Sequence, residues 1–216
     1  MSGLTLPVLL ATTLSLQGPA SDERANTILA RAAEAYREMT TLEAEFVQKI
    51  DLRAFEREKE GRGHVYQKKP NYFLMEFEDP KGDIVVADGE FFWMYYPSAQ
   101  PDQVIRTTIQ HGANSPGLGG QFVMNPQQRY VATYVGMDAV GERPAHLLSL
   151  VPKFTAPYTL VRVWIDSGDY LVRKFEVYEE NETIRTMTLI KLRVGIELPD
   201  SLFRFSPPQG VDVFSR

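Results

Sequence analysis

The sequence predicts a mainly β protein with about ten or eleven antiparallel strands and one long N-terminal helix. Between Lys68 and Pro97, three short runs rich in aromatic and β-branched residues are separated by turn signals that contain Pro or Gly. Similar runs and turns continue from Arg129 to Ile196, whereas only residues 21–40 carry an apolar stripe of helical period. The connections are short, so we expect a meandering antiparallel sheet, and a sheet of this size curls, splits or closes.

The composition is that of a globular chain without thiol chemistry. The 216 residues, 44% of them hydrophobic and 24% charged, suffice for one domain with a sizeable core. A net charge of −5 argues against nucleic acid as a partner, because its recognition needs a clustered basic surface. The sequence contains no cysteine, which excludes disulfides, thiolate nucleophiles and zinc–sulfur sites.

The N-terminal segment has features of a secretory signal. Residues Met1–Ala20 carry no charge, and Leu4–Leu16 is a mostly apolar run that is too short to span a bilayer as a helix. Gly18-Pro19-Ala20 resembles a cleavage site, although the basic residues that usually begin such a segment are missing. We expect residues 1–20 to be a signal peptide and residues 21–216 to form a single exported domain; the alternative is an ordered apolar tail.

The helix and the first strands are predicted from their periodicity. We expect a helix at Ser21–Thr40, with an apolar stripe formed by Ile28, Leu29, Ala32, Tyr36 and Met39. Over Leu42–Leu52 the period changes to two, and this predicts a strand with one apolar face. The face comprises Leu42, Ala44, Phe46, Ile50 and Leu52, with Gln48 among them. In the charged stretch that follows, Gly61 and Gly63 predict a bend, a bulge or a close backbone approach.

The rest of the chain predicts strands joined by short turns. They are Tyr72–Glu78, Ile84–Ala87, Glu90–Tyr96, Gln103–Ile109, Arg129–Val140, Ala145–Val151, Tyr158–Asp166, Tyr170–Glu179 and Thr183–Ile196. A glycine-rich loop at Gln110–Gln121 is long for a connection, which is typical of functional or mobile segments. We expect short helical turns at Asn125–Arg129 and Asp200–Phe203, with Phe205–Val213 completing the fold.

No enzyme motif is present. His64, His111 and His146 are far apart and lack the helical spacing of a metal site, so each is expected on the surface or in a turn. The Gly117–Gly120 run lacks the Lys-Ser or Lys-Thr of a phosphate loop. The acidic pairs Glu43/Glu45 and Glu58/Glu60 share strand faces, and paired carboxylates can hydrolyse glycosides. Solvated strand faces are much commoner, so a hydrolase is the weaker hypothesis.

The unusual feature that remains is apolar. Phe91–Tyr96 comprises six consecutive large residues, in a meander with large side chains on both faces. One interpretation is a core that the helix covers on one side. The other is a concave sheet whose inner face holds a lipid, for which the flexible, polarisable side chains of methionine are suited.

An ordered set of short motifs resembles the LolA family of periplasmic lipoprotein carriers and its lipoprotein-sorting relatives. The motifs are LEAEFVQK at Leu42–Lys49, Gly61-Arg62-Gly63, Lys68-Lys69-Pro70-Asn71 with Phe73, Val86-Ala87-Asp88-Gly89, Trp93–Pro97, and Phe203 to Val211 (FRFSPPQGV). They cover most of the chain after residue 20, whereas Ile109–Gly136 matches poorly.

The resemblance implies an unclosed antiparallel β-barrel with helices as a lid over an apolar cavity. It implies a periplasmic carrier that takes acylated lipoproteins from an inner-membrane ABC transporter to an outer-membrane receptor lipoprotein of the LolB type. It implies no enzymatic activity and no cofactor, and we expect a monomer. A carrier or sensor of another lipid, such as a phospholipid or glycolipid, remains the alternative.

The resemblance also directs attention to candidate site residues. We expect the acyl cavity to be lined by Leu42, Phe46, Phe73, Met75, Val86, Phe92, Met94 and Met124. In the family, an arginine before the Pro-Asn pair hydrogen-bonds the lid when the cavity is empty, and Lys69 occupies that position here. Lysine keeps the charge but lacks the planar fork of donors, so a lid latch at Lys69 is expected to be weaker. The alternative is a solvated turn lysine.

Overall fold

The computed structural model describes residues 19–109 and 118–215. Nearly all of the predicted signal peptide and most of the predicted glycine-rich loop, His111 included, lie outside the described residues. The helices are α1 (Pro19–Glu38), α2 (Gly120–Val123) and α3 (Pro126–Arg129), with 3-10 turns at Arg53–Phe55 and Asp200–Phe203. The strands are β1 (Thr41–Leu52), β2 (Arg57–Lys68), β3 (Tyr72–Asp79), β4 (Ile84–Asp88), β5 (Phe91–Tyr95), β6 (Gln103–Thr108), β7 (Tyr130–Val140), β8 (Arg143–Pro152), β9 (Tyr158–Asp166), β10 (Val172–Glu179), β11 (Thr183–Val194) and β12 (Asp212–Ser215).

The twelve strands form one sheet in the order β12-β6-β5-β4-β3-β2-β1-β11-β10-β9-β8-β7. Two antiparallel meanders, β1–β6 and β7–β11, are joined because β1 pairs with β11. The outermost strands, β12 and β7, do not pair with each other, so the sheet is mainly antiparallel and unclosed, as predicted. The sequence-based strand count omits β12, which pairs in parallel with β6. This strand has only four residues, and the Pro and Gly residues before it hide any strand pattern.

Alternation along the strands directs one set of apolar side chains to a single face, which we call the inner face. Leu42, Ala44 and Phe46 of β1 lie there, as predicted, beside Val65 of β2 and residues of β7–β11. The helix α1 packs on the same face through its predicted stripe of Ile28, Leu29, Ala32, Tyr36 and Met39. The main core therefore lies between α1 and the inner face of the sheet.

The other face of β3–β6 carries a second, smaller core. It consists of Leu74, Val86, Trp93, Val104, Leu198 and Phe203. The last two belong to the segment after β11, so the C-terminal part of the chain covers this outer face. The large side chains on both faces of the meander are thus explained without a ligand on the outer side.

An ion-pair network stabilises the turn between β9 and β10. The Asp166 carboxylate is 2% exposed and accepts hydrogen bonds from Arg143, from Arg173 Nε at 3.3 Å and from the N–H of Gly168 at 2.8 Å. Burial by itself raises the pKa of Asp166, but these hydrogen bonds outweigh it and hold the pKa well below its ordinary value. The stabilisation is therefore fully present above the pKa of an unfolded aspartate, about 3.9, and is lost as the pH falls below it.

We expect Asp166→Asn to lower the free energy of unfolding by about 2 kcal/mol at neutral pH, because it removes the charge that faces the buried Arg173. The difference from the native chain should shrink below about pH 4, where the aspartate binds a proton in the unfolded native chain but not yet in the folded one. Urea unfolding followed by circular dichroism at about pH 7, 5 and 3 measures both effects. A difference that stays constant down to the lowest pH contradicts this account.

Candidate functional site

An apolar cavity of about 610 Å³ opens on the inner face. It is lined by β1, β2, β3, β10 and β11, by α2 and by the segment Tyr96–Ala99, whereas none of its lining residues belongs to α1. The apolar lining consists of Ile50, Met75, Phe77, Leu118, Phe122, Phe175, Val177 and Met187, among other residues. The cavity therefore lies beside the helix, between the two halves of the sheet, and its volume is typical of a small-molecule site.

Polar side chains also line this cavity. They include Gln48, Lys59, Glu60, Asp83 and Arg185. The buried Asp83 carboxylate accepts hydrogen bonds from the Ser98 N–H at 3.0 Å and from the Ser98 hydroxyl at 2.7 Å. These bonds hold the segment Tyr96–Ala99 in place. Arg185 pairs with Glu179. The lining therefore combines an apolar surface that can pack against hydrocarbon with polar side chains that can form hydrogen bonds.

The short helix α2 covers one side of the cavity, and glycines allow it to pack closely on α1. Phe122 packs on Phe175 of β10, with ring centroids 5.0 Å apart. A Cβ at Gly120 would lie 2.9 Å from the ring of Tyr36, so only glycine permits this contact. The Tyr36 hydroxyl accepts a hydrogen bond from the Val172 N–H at 3.4 Å, and burial raises the pKa of Tyr36. A single buried tyrosine thus connects α1, α2 and β10.

Lys69 contacts the C-terminal end of α1. Its Nζ donates hydrogen bonds to the carbonyl oxygens of Tyr36, at 2.9 Å, and Arg37, at 2.5 Å. These carbonyls belong to the last turn of α1, where the helix dipole favours a cation. Desolvation against the helix lowers the pKa of Lys69 from its ordinary value. The neighbouring Lys68 points elsewhere, because its Nζ contacts the Leu198 carbonyl and Asp200.

Of the eight residues predicted to line the cavity, one is among the lining residues of the cavity described above, and six more lie in or against the main core on the inner face. Met75 lines the cavity, Leu42, Phe46 and Phe73 belong to the main core, and Phe92, Met94 and Met124 pack against that core. Val86 is the exception and lies in the outer-face core. Its neighbours Val85 and Ala87 point inward, so alternation along β4 turns Val86 away from the cavity and removes it from the candidate site.

Several lining residues were not predicted, and most come from the second meander. Phe175, Val177 and Met187 of β10 and β11 line the cavity only because β11 pairs with β1 across the sheet. Their alternation with polar residues indicates a half-buried strand, but it does not reveal which part of the inner face they reach. Phe122 lies within the poorly matching region Ile109–Gly136 and carried no signal.

The acidic pair on β1 that suggested a hydrolase lies on the outer face. Glu43 pairs with Arg193 at 2.6 Å and Glu45 with Lys191 at 2.7 Å, so each carboxylate has its own cation. In β2, Glu58 pairs with Lys49 at 2.7 Å. Within residues 19–109 and 118–215, no group of three or more His, Asp or Glu side chains is arranged to hold a metal ion. Glu43, Glu45 and Glu58 are therefore explained as members of ion pairs.

The comparison with family models and the comparison with known proteins agree with each other. Residues 37–206 match the profile of the family described as outer membrane lipoprotein carrier protein LolA. The chain is 26% identical over 219 residues to an outer-membrane lipoprotein carrier protein of Haemophilus influenzae (strain PittEE), covering 99% of this chain and 97% of that protein.

Solved structures share the fold at lower identity. An uncharacterized conserved protein from Thermus thermophilus superposes with a TM-score of 0.58 at 17% identity, covering 89% of this chain and 99% of that one. MucB, in the complex structure of Pseudomonas aeruginosa MucA/MucB, superposes with a TM-score of 0.53 at 17% identity. The match covers 85% of this chain and 61% of that one. None of the helices in the described ranges has both the length and the hydrophobicity needed to cross a membrane. The profile match extends over most of the chain and the unclosed sheet agrees with it, so the chain belongs to the LolA family of outer membrane lipoprotein carrier proteins.

Proposed function

We propose that this protein is a non-enzymatic carrier that holds the acyl chains of lipoproteins against the inner face of its unclosed sheet and shuttles them from the inner to the outer membrane. The observation that carries the proposal is the apolar cavity of about 610 Å³ between the two meanders, in a chain of the LolA family. Shielding hydrocarbon from water is worth about 0.8 kcal/mol per methylene, so an apolar cavity suffices without covalent chemistry.

The cavity volume implies that the covering helices move when cargo binds. A cavity of about 300–1,000 Å³ holds a drug-sized ligand, whereas a lipoprotein anchor with several acyl chains is larger. The apolar surface that could extend the cavity lies under α1 and α2, where Leu29, Tyr36 and Phe122 cover the inner face. Binding therefore requires these helices to swing outward, which exposes the buried side chains to the acyl chains instead of to one another.

Lys69 is our candidate for the latch that holds α1 in place. Its two hydrogen bonds to the last turn of α1 are charge-assisted but have no carboxylate partner, so they can open at a modest cost. We expect Lys69→Met to lower the free energy of unfolding by about 1–2 kcal/mol and to speed the uptake of a fluorescent fatty acid. Stopped-flow fluorescence measures the uptake, and urea unfolding measures the stability.

The adjacent Lys68 is the matched control for the latch. It makes a comparable pair of contacts, but to the segment after β11 instead of to α1. Lys68→Met should therefore destabilise the fold by a similar amount without speeding uptake, whereas Lys69→Arg should restore the slow uptake of the native chain. Equal acceleration by both methionine variants would assign Lys69 to general stability and not to a latch.

The carrier proposal includes a location and a set of partners. The features of residues 1–20 support export to the periplasm. An inner-membrane lipoprotein-releasing ABC transporter would load the carrier, an outer-membrane receptor lipoprotein would unload it, and the carrier itself would act as a monomer. Purification from the periplasm followed by native mass spectrometry tests the cargo directly. Intact acylated lipoproteins bound one to one support the proposal, and protein that carries no lipoprotein contradicts it.

A carrier or sensor of another lipid is the second candidate. The observation that favours it is the moderate volume of the cavity, which suits one small lipid without movement of α1. The MucA/MucB complex adds that a protein of this fold binds a protein partner. The same mass measurement separates the two candidates, because free phospholipid or glycolipid in place of lipoprotein would favour the second.

A further inference from the structure

A second cavity, of about 420 Å³, is separate from the acyl cavity and shares no lining residue with it. It lies between residues 23–31 of α1, strand β8 and the turn that joins β9 to β10, and we call it the basic groove. Its lining consists of Glu23, Arg24, Thr27, Ile28, Arg31, His146 and Tyr170. Two permanent positive charges therefore face one carboxylate, in a protein whose net charge is −5.

Aromatic rings position the two guanidiniums. The Arg24 guanidinium carbon lies 4.0 Å from the centroid of the Tyr134 ring. Arg31 donates a hydrogen bond from Nη1 to the Tyr170 hydroxyl at 2.6 Å. Within the described ranges neither guanidinium forms an ion pair, in contrast to arginines such as Arg37. Both side chains are exposed, so their remaining N–H donors are available to a ligand.

His146 lies between these rings and lacks a hydrogen-bond partner at one ring nitrogen. Its ring is 6.0 Å from that of Tyr134 and 6.3 Å from that of Tyr170, measured between centroids. Its Nδ1 is buried and, among the described residues, has no hydrogen-bond partner. Burial, and next the positive charge of Arg24, lowers the pKa of His146, while Asp166 acts in the opposite direction. The Arg24 guanidinium is therefore close enough to act on the imidazole as a positive charge.

We propose that the basic groove binds a phosphate group, held between the Arg24 and Arg31 guanidiniums with His146 as a further hydrogen-bonding group. Guanidinium forks match the geometry of phosphate oxygens and form charge-assisted hydrogen bonds with them. The two arginines are seven residues apart, or about 10 Å along the helix, which their long side chains span by converging on one ligand. The proposal does not depend on acyl-chain binding, because the two cavities are separate.

Isothermal titration calorimetry of the full chain at constant ionic strength tests the proposal. Inorganic phosphate and glycerol 3-phosphate should bind, and glycerol should not. Arg24→Gln and Arg31→Gln should each weaken binding by at least about 10-fold, and Arg31→Lys should weaken it less because the charge remains. Glu23→Gln should tighten binding, since it removes a carboxylate from the lining.

Arg37 provides the matched control on the same helix. It already pairs with Glu34 at 2.5 Å, so Arg37→Gln should leave phosphate binding unchanged. Monomeric dihexanoyl phosphatidylglycerol identifies the source of the phosphate when its binding is compared between the native chain and Arg24→Gln, which leaves the acyl cavity unchanged. An Arg24-dependent affinity tighter than that of inorganic phosphate indicates a lipid headgroup, and a weaker one indicates free phosphate. Absence of binding by the native chain, an equal response to chloride, or binding that survives in both folded glutamine variants would overturn the proposal.

Discussion

Ile50→Glu is expected to weaken the binding of a long-chain fatty-acid probe by about 30-fold or more, because it places a carboxylate on the wall of the inner-face cavity proposed to hold acyl chains. Desolvating that group against hydrocarbon costs about 2 kcal/mol, and the like charge of the fatty acid adds to the cost. Ile50 is only partly buried, so in the empty protein the new carboxylate remains hydrated and the fold is retained. Fluorescence titration measures the affinity, and circular dichroism verifies the fold.

Val47→Glu is the matched control for Ile50→Glu. Val47 lies on the same strand but on the outer face, where it is 42% exposed. The same change of an aliphatic residue to glutamate, three positions away, should therefore leave probe binding unaltered. A loss of binding in both variants, or in neither, would contradict the assignment of the inner face as the acyl site. A second probe without charge, such as a fatty-acid methyl ester, separates burial of the carboxylate from repulsion between like charges.

Local periodicity predicted the elements that line the site, because each strand has its own alternation. The period of two over Leu42–Leu52 correctly grouped Leu42, Phe46 and Ile50, since the opposite face of β1 is charged. Over Ile84–Ala87 every residue is apolar, so alternation alone cannot say which side chains point inward. Val86 was misassigned for this reason, and only the packing of Leu198 and Phe203 on the outer face decides the question.

Long-range pairing determines the rest of the site, and it could not be predicted from local patterns. Phe175 and Met187 reach the cavity because β11 pairs with β1, more than a hundred positions away along the chain. The position of α2 depends on the close contact between Tyr36 and Gly120. These residues belong to segments far apart in the sequence, and no sequence pattern links them. Lys69 is intermediate: the family resemblance directed attention to it, and the structure shows its hydrogen bonds to the last turn of α1, whereas its role as a latch stays a prediction.

Gly63→Ala is expected to lower the free energy of unfolding by more than about 3 kcal/mol, because the new methyl group would collide with the main chain. An ideal Cβ at this position would lie 2.0 Å from the carbonyl oxygen of Glu76 in the paired strand β3. The pairing register of β2 and β3 shifts between Arg62 and Gly63, so the bulge and the close approach predicted from the sequence are confirmed.

Gly63 also shapes the core beside the acyl cavity, which links this stability prediction to function. It lies between Phe46 of β1 and Phe77 of β3, and the absence of a side chain lets these two rings meet at 5.0 Å in an edge-to-face contact. Gly136 is the matched control, because a Cβ there would meet nothing within 4 Å. Gly136→Ala should leave stability unchanged or raise it by about 0.5 kcal/mol. If thermal and urea unfolding show similar stabilities for both alanine variants, β2 and β3 can separate without cost, and the close approach does not define the wall of the cavity.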